Sequence, residues 1–413
     1  MINPKYCFYL LVFTLPFAAP FFIGSQELPI NQTDLLIVFT SVIIFYKYIT
    51  ERSQISLKTP IDKWFVILFV IYLVTGLTSS AHNGYQGIFK YIELVLLFYS
   101  TVYLIRSKII SISDIIKSLI YVALFEASLG ILQSLTGGFG ASWIDNRGYL
   151  GYLGIGSTAV WHGQGTFTHF NMLAGLLCIT VVFLIPLRHF LLKSNIKNNI
   201  LFFILLFGVI TTYSRNSLIT IFLTSILFLF IIDKNKFYFF LKFVLSTIPL
   251  FLIYMFLKDT SYFSTLNPRD HIWAVNMMAF SQSIKTILIG NGLRAVDQEI
   301  FRFLPSNLSL VDASYFQAHS FYIYNLIEVG VIGTFTIIAF YIVNLINFLK
   351  GFNSSNKKYY KAMYLMAFLF ISGIFIQGIF DLVFNRFNFQ VLIYLILGIV
   401  YAKNHKLYGE SRQ

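Results

Sequence analysis

Charged residues are scarce in this chain of 413 residues. Asp, Glu, Lys and Arg make up only 11% of it, whereas 57% of its residues are hydrophobic and 18% are aromatic. The polar stretches between the apolar runs are too short to form a soluble domain of ordinary size, so the usual relation between chain length and domain number does not apply. We therefore predict one integral membrane domain over residues 1–413.

Metal-binding patterns are also missing. The two cysteines, Cys7 and Cys178, lie far apart in apolar segments, which indicates neither a disulfide framework nor a thiolate metal site. No Asp-x-Asp pair occurs, and His82, His162 and His271 do not have the spacing of metal ligands. Repeats with a period of 20–50 residues are absent as well. We expect no metal and no cofactor.

Long apolar runs are what the sequence does contain. A helix needs about 20 apolar residues to cross a bilayer, and twelve runs are close to that length. The sequence therefore predicts an all-α polytopic membrane protein with about 12 transmembrane helices. The runs cover residues 6–23, 34–49, 64–80, 88–105, 115–136, 170–188, 199–214, 216–232, 238–257, 320–349, 359–380 and 388–402.

The positive charges alternate with these runs. If the N-terminus is cytoplasmic, 21 of the 30 Lys and Arg residues fall on the inner side and 9 on the outer side. Cytoplasmic loops carry such an excess of Lys and Arg, so both termini are predicted to be cytoplasmic. The net charge of +13 therefore reports topology, and nucleic acid is not an expected partner because the basic residues are scattered over seven segments.

Two outer loops contain nearly all the residues that could take part in chemistry. The loop at 137–169 is rich in glycine and aromatic residues, and the loop at 258–319 is the longest. Long loops in compact proteins are usually functional. Within the second loop, Pro268 predicts the start of an amphipathic surface helix that continues to about Thr286.

Ionisable groups at the outer side differ from those inside. Six of the nine outer cations are arginine, whose planar fork of donors suits phosphate. His319 ends the second loop just before an apolar helix, a place where an ionisable residue is costly unless it is paired or used. Helical periodicity places His319 on one face with Tyr322, Gly330 and Gly333. We expect that face to point into the bundle, with Glu328 as a structural polar contact on the opposite face.

Three separated motifs together resemble one known family. The first leads into the sixth apolar run, the second lies between the seventh and eighth runs, and the third spans the second outer loop and the helix after it. The motif residues are Gly165-Thr166-Phe167-Thr168-His169-Phe170-Asn171; Tyr213-Ser214-Arg215; and Arg269, Trp273, Gly290-Asn291-Gly292, Ala318-His319-Ser320 and Glu328-Val329-Gly330-Val331-Ile332-Gly333. With these residues the chain resembles the O-antigen ligase/polymerase superfamily, which comprises the lipopolysaccharide O-antigen ligases and the Wzy-type polymerases.

The resemblance implies a C-type membrane glycosyltransferase of the bacterial inner membrane with a periplasmic active site. The donor would be an oligosaccharide on undecaprenyl diphosphate, with membrane lipids and a chain-length regulator as further partners. The family's two essential arginines correspond to Arg215 and Arg269, which would bind the diphosphate, and its essential histidine to His319. Where the family often has Asn after that histidine, this chain has Ser320.

The chemistry of these residue types agrees with that implication. Arginines can stabilise a departing diphosphate without a metal, and histidine is the usual general base near neutral pH. Further glycan or lipid contacts are predicted at Arg147, Arg294, Arg386 and Tyr322, whereas His169 is expected to be structural.

Two alternatives remain open at the level of sequence. One is the acceptor: a second lipid-linked repeat unit, as in a polymerase, which we favour, or lipid A–core, as in a ligase. The other is a lipid-linked oligosaccharide flippase, which is disfavoured because the two halves of the chain are unlike and the polar groups gather at one face.

Overall fold

Helices account for most of the described chain, because in lipid every backbone N–H and C=O must be bonded within its own segment. The computed structural model describes residues 3–17, 20–23, 26–50, 54–137, 152–155, 158–167, 169–191, 196–233, 267–304 and 317–403. The α-helices in these residues are α1 Pro4–Thr14, α2 Gln32–Thr50, α3 Asp62–Leu77, α4 Tyr85–Arg106, α5 Ile112–Thr136, α6 Phe170–Phe190, α7 Ile196–Thr211, α8 Arg215–Ile232, α9 Asn267–Phe280, α10 Ile284–Ile289, α11 Val296–Phe301, α12 Phe321–Ser354, α13 Lys358–Gln377 and α14 Phe387–Tyr401.

Seven of these helices, α2, α4, α5, α6, α8, α12 and α13, are long and apolar enough to cross a membrane. Two shorter apolar helices, α7 and α14, accompany them. Helices overlie eleven of the twelve predicted runs, and the run at 238–257 lies outside the described residues. The chain is therefore a multi-pass helical membrane protein, as predicted, whereas the number of spans stays a prediction.

The first predicted run, 6–23, is only partly helical. Helix α1 ends at Thr14, and the chain continues into an antiparallel hairpin of β1 Pro20–Ile23 and β2 Gln26–Asn31. Pro16 explains the early end of the helix, because it has no N–H with which to continue the helical hydrogen bonding. Apolar composition alone therefore overstated the length of this helix.

The predicted surface helix of the second outer loop is two helices. Pro268 does stand in the first turn of α9, as predicted, but α9 ends at Phe280 and α10 begins after Ser283. The Ser283 side chain accepts a hydrogen bond from the Thr286 backbone, and the Thr286 hydroxyl accepts one from Ser283. This capping box starts a new helix inside what the periodicity suggested was one.

Helices α6 and α13 form the centre of the bundle. They pack against each other, α6 also contacts α5, α7 and α8, and α13 contacts α8 and α12. In the most apolar stretch of each of these two helices, more than seven tenths of the residues are buried. On the other side, α14 packs along α4, and α2 and α3 flank that pair.

The helix ends form two opposite ends of the bundle. At one end the Arg106 guanidinium donates to the backbone carbonyls of Ser56, Lys58, Tyr401 and Ala402. We call this the lysine end, since most of the chain's lysines lie in the segments that the sequence assigns to this side. The opposite, loop end contains the termini of helices at Leu77, Tyr85, Thr136, Phe170, Thr211, Arg215, Phe321, Gln377 and Phe387, together with both described hairpins, β1–β2 and β3 Tyr152–Ile155 with β4 Thr158–Trp161.

Candidate functional site

His319 lies in a turn at the loop end and not in a helix. Its φ of 44° is left-handed, and α12 begins two residues later at Phe321. The prediction that His319 shares a helix face with Gly330 is therefore wrong. Gly330 itself interrupts α12, with φ 66° and ψ −171°, so helical periodicity cannot be carried through either position.

Arg215 stands at a second turn of the loop end. Helix α7 ends at Thr211, Tyr213 has a left-handed φ of 56°, Ser214 is the N-cap, and Arg215 is the first residue of α8. The predicted break between the seventh and eighth runs is thus confirmed. Here the chain reverses within three residues, which leaves Arg215 partly exposed at the end of the bundle.

These two turns meet at the end of α13. The Asn216 side chain donates a 2.8 Å hydrogen bond to the carbonyl of Gln377. The next residue, Gly378, accepts a 2.7 Å hydrogen bond from the backbone of Phe321. The dipeptide Gln377–Gly378 therefore binds Asn216, which follows Arg215, and Phe321, which follows the turn that contains His319.

Helix α9 contacts the histidine turn directly. The Trp273 indole donates a 2.7 Å hydrogen bond to the carbonyl of Ala318, the residue before His319. Arg269 lies four residues before Trp273 in the same helix, and residues four apart in a helix are neighbours on its surface. The backbone thus brings the Arg269 position to the same part of the bundle, while its side chain lies outside the described part of the structure.

The first motif, which precedes α6, is bound to α5 by two buried polar side chains. The Glu126 carboxylate accepts hydrogen bonds from the Thr166 backbone and hydroxyl, at 2.8 and 2.7 Å. Gln133 accepts from the backbones of Gln164 and Gly165 and donates to the carbonyl of Gly165. At Gly165, whose φ is 62°, a Cβ would lie 2.3 Å from Glu126 Oε2, so only glycine permits this approach.

His162 links this segment to the arginine turn. Its Nδ1 lies 2.8 Å from the Thr212 carbonyl, and its ring meets the Tyr213 ring edge-on at 5.2 Å. Burial lowers the pKa of His162, although the hydrogen bond to Thr212 works against that shift. A neutral ring with its proton on Nδ1 fits these contacts.

His169 caps α6 and lies among cationic groups. Its Nδ1 accepts a 3.1 Å hydrogen bond from the Asn171 backbone, so the structural role predicted for it fits the geometry. Desolvation lowers the pKa of His169 to about 4, and the charge of Arg386 acts in the same direction, as do His319 and His162 when they are protonated. The residue as a whole is nevertheless exposed. These groups are therefore close enough to influence one another electrostatically, which groups Arg386 with the histidines of the site.

The Gly290-Asn291-Gly292 motif forms a packing junction. The backbones of Asn291 and Gly292 donate to the carbonyls of Ile327 and Glu328, at 2.8 and 2.9 Å. A Cβ on Gly330 would lie 2.5 Å from the Gly290 nitrogen, which shows how closely the two segments approach. The motif thus holds the second outer loop against α12.

Two predicted contact residues make hydrogen bonds within the protein. The Arg294 guanidinium donates to the Gln86 side chain, and its backbone donates to Glu328, which also accepts from the Tyr324 hydroxyl. Glu328 is thus the structural contact that the sequence suggested. The Tyr322 hydroxyl donates to the carbonyl of Phe375 at 2.9 Å. Contact of Arg294 or Tyr322 with a glycan or lipid stays a prediction, and Arg147 lies outside the described residues.

Sequence reasoning missed three buried polar residues that organise the site. Glu126 and Gln133 are seven residues apart in an apolar helix, which places them on one face, and this spacing was a usable signal. Gln377 is a single polar residue at the end of an apolar run, and nothing in its neighbourhood distinguishes it. Among the residues that the structure describes, no group of His, Cys, Asp and Glu is arranged to hold a metal ion.

Comparison with protein-family models and with curated proteins found no match to this chain. The resemblance to the O-antigen ligase/polymerase superfamily thus rests on the residues quoted above and stays a prediction.

Proposed function

We propose that this chain is a metal-independent glycosyltransferase of the bacterial inner membrane, specifically an O-antigen polymerase. It transfers a glycan from undecaprenyl diphosphate to a hydroxyl of a second lipid-linked repeat unit at the periplasmic face. The observation that supports it most is the meeting of the His319 and Arg215 turns on Gln377–Gly378. A transferase of this kind needs a base for the acceptor hydroxyl and a clamp for the leaving group, both held in place around one reacting carbon.

In the proposed mechanism, His319 acts as the general base. Its imidazole takes the proton of the acceptor hydroxyl while the hydroxyl oxygen attacks the anomeric carbon of the donor. The bond from that carbon to the diphosphate oxygen breaks, and its electron pair leaves with undecaprenyl diphosphate. Arg215 and Arg269 bind the diphosphate and stabilise the charge that develops on it.

Arg386 fits this scheme as an additional phosphate contact. It is exposed at the start of α14 and acts electrostatically on His169, which in turn feels the charge of His319. We assign Arg386 to the donor diphosphate or to its glycan.

A ligase is the alternative, and it requires the same donor and the same three residues. Only the acceptor differs, since a ligase transfers the glycan to lipid A–core. The glycine- and aromatic-rich 137–169 loop favours the polymerase, because it resembles polymerases more than ligases in composition.

The deciding experiment supplies purified protein in lipid nanodiscs with a labelled undecaprenyl-diphosphate repeat unit, in EDTA. A polymerase extends the label into lipid-linked oligomers without any other substrate. A ligase leaves the label unchanged until lipid A–core is added. If neither mixture gives a product with protein of normal monodispersity, or if a product forms only after a divalent metal is restored, the proposal fails.

A further inference from the structure

Gln377 has an unusual set of contacts for the last residue of a membrane helix. Its side chain is fully buried, its carbonyl accepts from Asn216, and its Nε2 donates to the Ser217 hydroxyl at 3.2 Å. Both partners lie in the first turn of α8, directly after Arg215. Gln377 thus binds the arginine turn through its backbone and through its side chain.

The residue after it binds the other turn. The Gly378 carbonyl accepts from the Phe321 backbone at 2.7 Å and from the Ser320 hydroxyl at 3.5 Å. Gly378 permits this close contact, because a Cβ there would lie 2.9 Å from the Phe321 Cβ. The path from Arg215 to His319 therefore passes from Asn216 to the Gln377 carbonyl, along the Gln377–Gly378 peptide bond, and from the Gly378 carbonyl to Phe321.

The Gln377 amide also carries an energetic cost. Among the described residues, its Oε1 has no hydrogen-bond partner although the atom is buried. A buried acceptor without a partner is destabilising, whereas an apolar side chain of similar shape avoids the penalty. An apolar residue at this position would therefore give a more stable protein. What an apolar residue cannot supply is the hydrogen bond that the Gln377 amide donates to Ser217.

We infer that Gln377 is a positioning residue that sets the separation between the Arg215 turn and the His319 turn. The inference rests on the proposed function, in which those turns hold the diphosphate clamp and the base. Reacting groups must be held at near-attack distance, and a displacement of about 1 Å lowers the rate by about 100-fold. Gln377 itself does not touch the reacting atoms.

The central test replaces Gln377 by methionine, which keeps the length of the side chain and removes both polar atoms of the amide, Oε1 and Nε2. We expect the melting temperature to be unchanged or higher, because the unpartnered Oε1 is gone. We expect kcat to fall by about 10- to 100-fold, while KM for the lipid-linked donor stays within about twofold. If kcat stays at the wild-type level, whatever the melting temperature, or if kcat falls only in proportion to lost stability, the inference is wrong.

A matched control removes a similar buried group far from the site. Thr40 in α2 is buried, and its hydroxyl has no partner among the described residues. The Thr40→Val variant should leave kcat unchanged. If it lowers kcat as much as Gln377→Met does, the effect belongs to loss of buried polarity in general, which contradicts a positioning role for Gln377.

A double-mutant cycle tests the route through Ser217. Ser217→Ala removes the acceptor of the Gln377 Nε2 hydrogen bond, so it should reproduce part of the kcat loss. The Gln377→Met, Ser217→Ala double variant should be no slower than Gln377→Met alone, because both changes break the same link. Additive losses would show that the two residues act separately and would refute the link.

Hydrogen exchange separates failure of this inference from failure of the proposed function. In the wild type, the Phe321 amide is protected by its bond to Gly378, and the Gln377→Met variant should exchange it faster. Unchanged protection overturns the inference even if the protein proves to be a polymerase. Wild-type protein without transferase activity overturns the proposed function, while faster exchange still supports the link between the two turns.

Discussion

The two ends of the bundle use positive charge in different ways. At the lysine end, Arg106 donates to backbone carbonyls and Lys361 lies over the Phe352 ring at 5.5 Å, so these cations stabilise chain ends. At the loop end, Lys285 likewise donates to the carbonyl of Thr78, but Arg215 follows the turn that His162 contacts and Arg386 acts on His169. Charge bias along the sequence reports orientation, and only the surroundings of each cation distinguish an anchor from a candidate site.

Backbone conformation shows the same difference. Among the described residues, four other than glycine have a positive φ, and three of them, Tyr213, Arg294 and His319, lie at the loop end. Such conformations are costly for residues with a Cβ and persist where surrounding structure enforces them, often at functional sites. Lys108 is the counterpart at the lysine end. The loop end therefore concentrates the positive-φ residues, and two of them, Tyr213 and His319, stand in the turns of the candidate site.

The largest expected contrast is in the side of the membrane that each end faces. Ser281 is exposed at the loop end, and Asn356 is exposed at the lysine end. In intact cells, a membrane-impermeant thiol reagent that crosses the outer membrane should label Ser281→Cys and leave Asn356→Cys unlabelled until the inner membrane is opened. The native cysteines are both buried, so they contribute little background. Labelling of Asn356→Cys alone would reverse the predicted orientation.

The next contrast compares one histidine from each end. His319→Ala should lower transfer by about 10²- to 10⁴-fold through loss of the base, without preventing donor binding. The control, His189→Ala, removes an exposed lysine-end histidine that packs edge-on against Phe228 and should be silent.

Gels of lipopolysaccharide from cells with His319→Ala then distinguish the two possible acceptors. If the chain is a polymerase, cells with His319→Ala retain lipopolysaccharide with single repeat units, because a separate ligase is intact. A band with core only would indicate a ligase instead. Wild-type banding would remove His319 from the mechanism.

Arginines can be compared in the same way. Arg215→Lys should lower kcat by about 10²- to 10³-fold, because an ammonium cannot reproduce the bidentate fork at the departing diphosphate. Arg188→Lys, at the lysine end, changes a residue that donates to Asn199 and should cost little activity. Turnover of purified protein measures both. Full activity of Arg215→Lys would mean that this arginine supplies general positive charge and no specific clamp.

The smallest expected contrast concerns two glycines of α12. Gly330→Ala should destabilise the protein by about 2–3 kcal/mol, since it combines a left-handed conformation with a clash against backbone atoms. At Gly351 a Cβ would meet the Tyr364 ring, a side chain that can shift, so Gly351→Ala should cost about 1 kcal/mol. Thermal unfolding in detergent compares them. Equal costs would show that the junction at Gly330 is not rigid.

Much of the candidate site could be predicted from local sequence signals. Tyr213-Ser214-Arg215 was placed at a helix break because an apolar run ends and another begins there, and the structure has that break. Pro268 was placed at a helix start for its missing N–H, and it is there. Both features depend only on residues that are neighbours in the chain, so they can be predicted from the sequence alone.

Other features depend on contacts between distant segments. The prediction that His319 shares a helix face with Gly330 is wrong, because α12 begins only at Phe321. The backbone N–H of Phe321 binds the carbonyl of Gly378, a residue 57 positions later in the chain. The kink at Gly330 follows from Gly290, forty residues earlier in the chain. Neither partner is marked by periodicity, since hydrogen bonds between segments leave no pattern along the sequence.

The amino-acid sequence by itself determined that this protein is helical and embedded in a membrane, because the length and composition of each apolar run suffice to decide where it is stable. It also determined which ionisable residues are placed at helix ends. Only the tertiary structure decided that the neighbours of Arg215 and of His319 bind the same dipeptide, Gln377–Gly378, and that Glu126 and Gln133 bind the loop before α6. Those choices depend on which buried polar groups find partners, and that is settled by packing between helices.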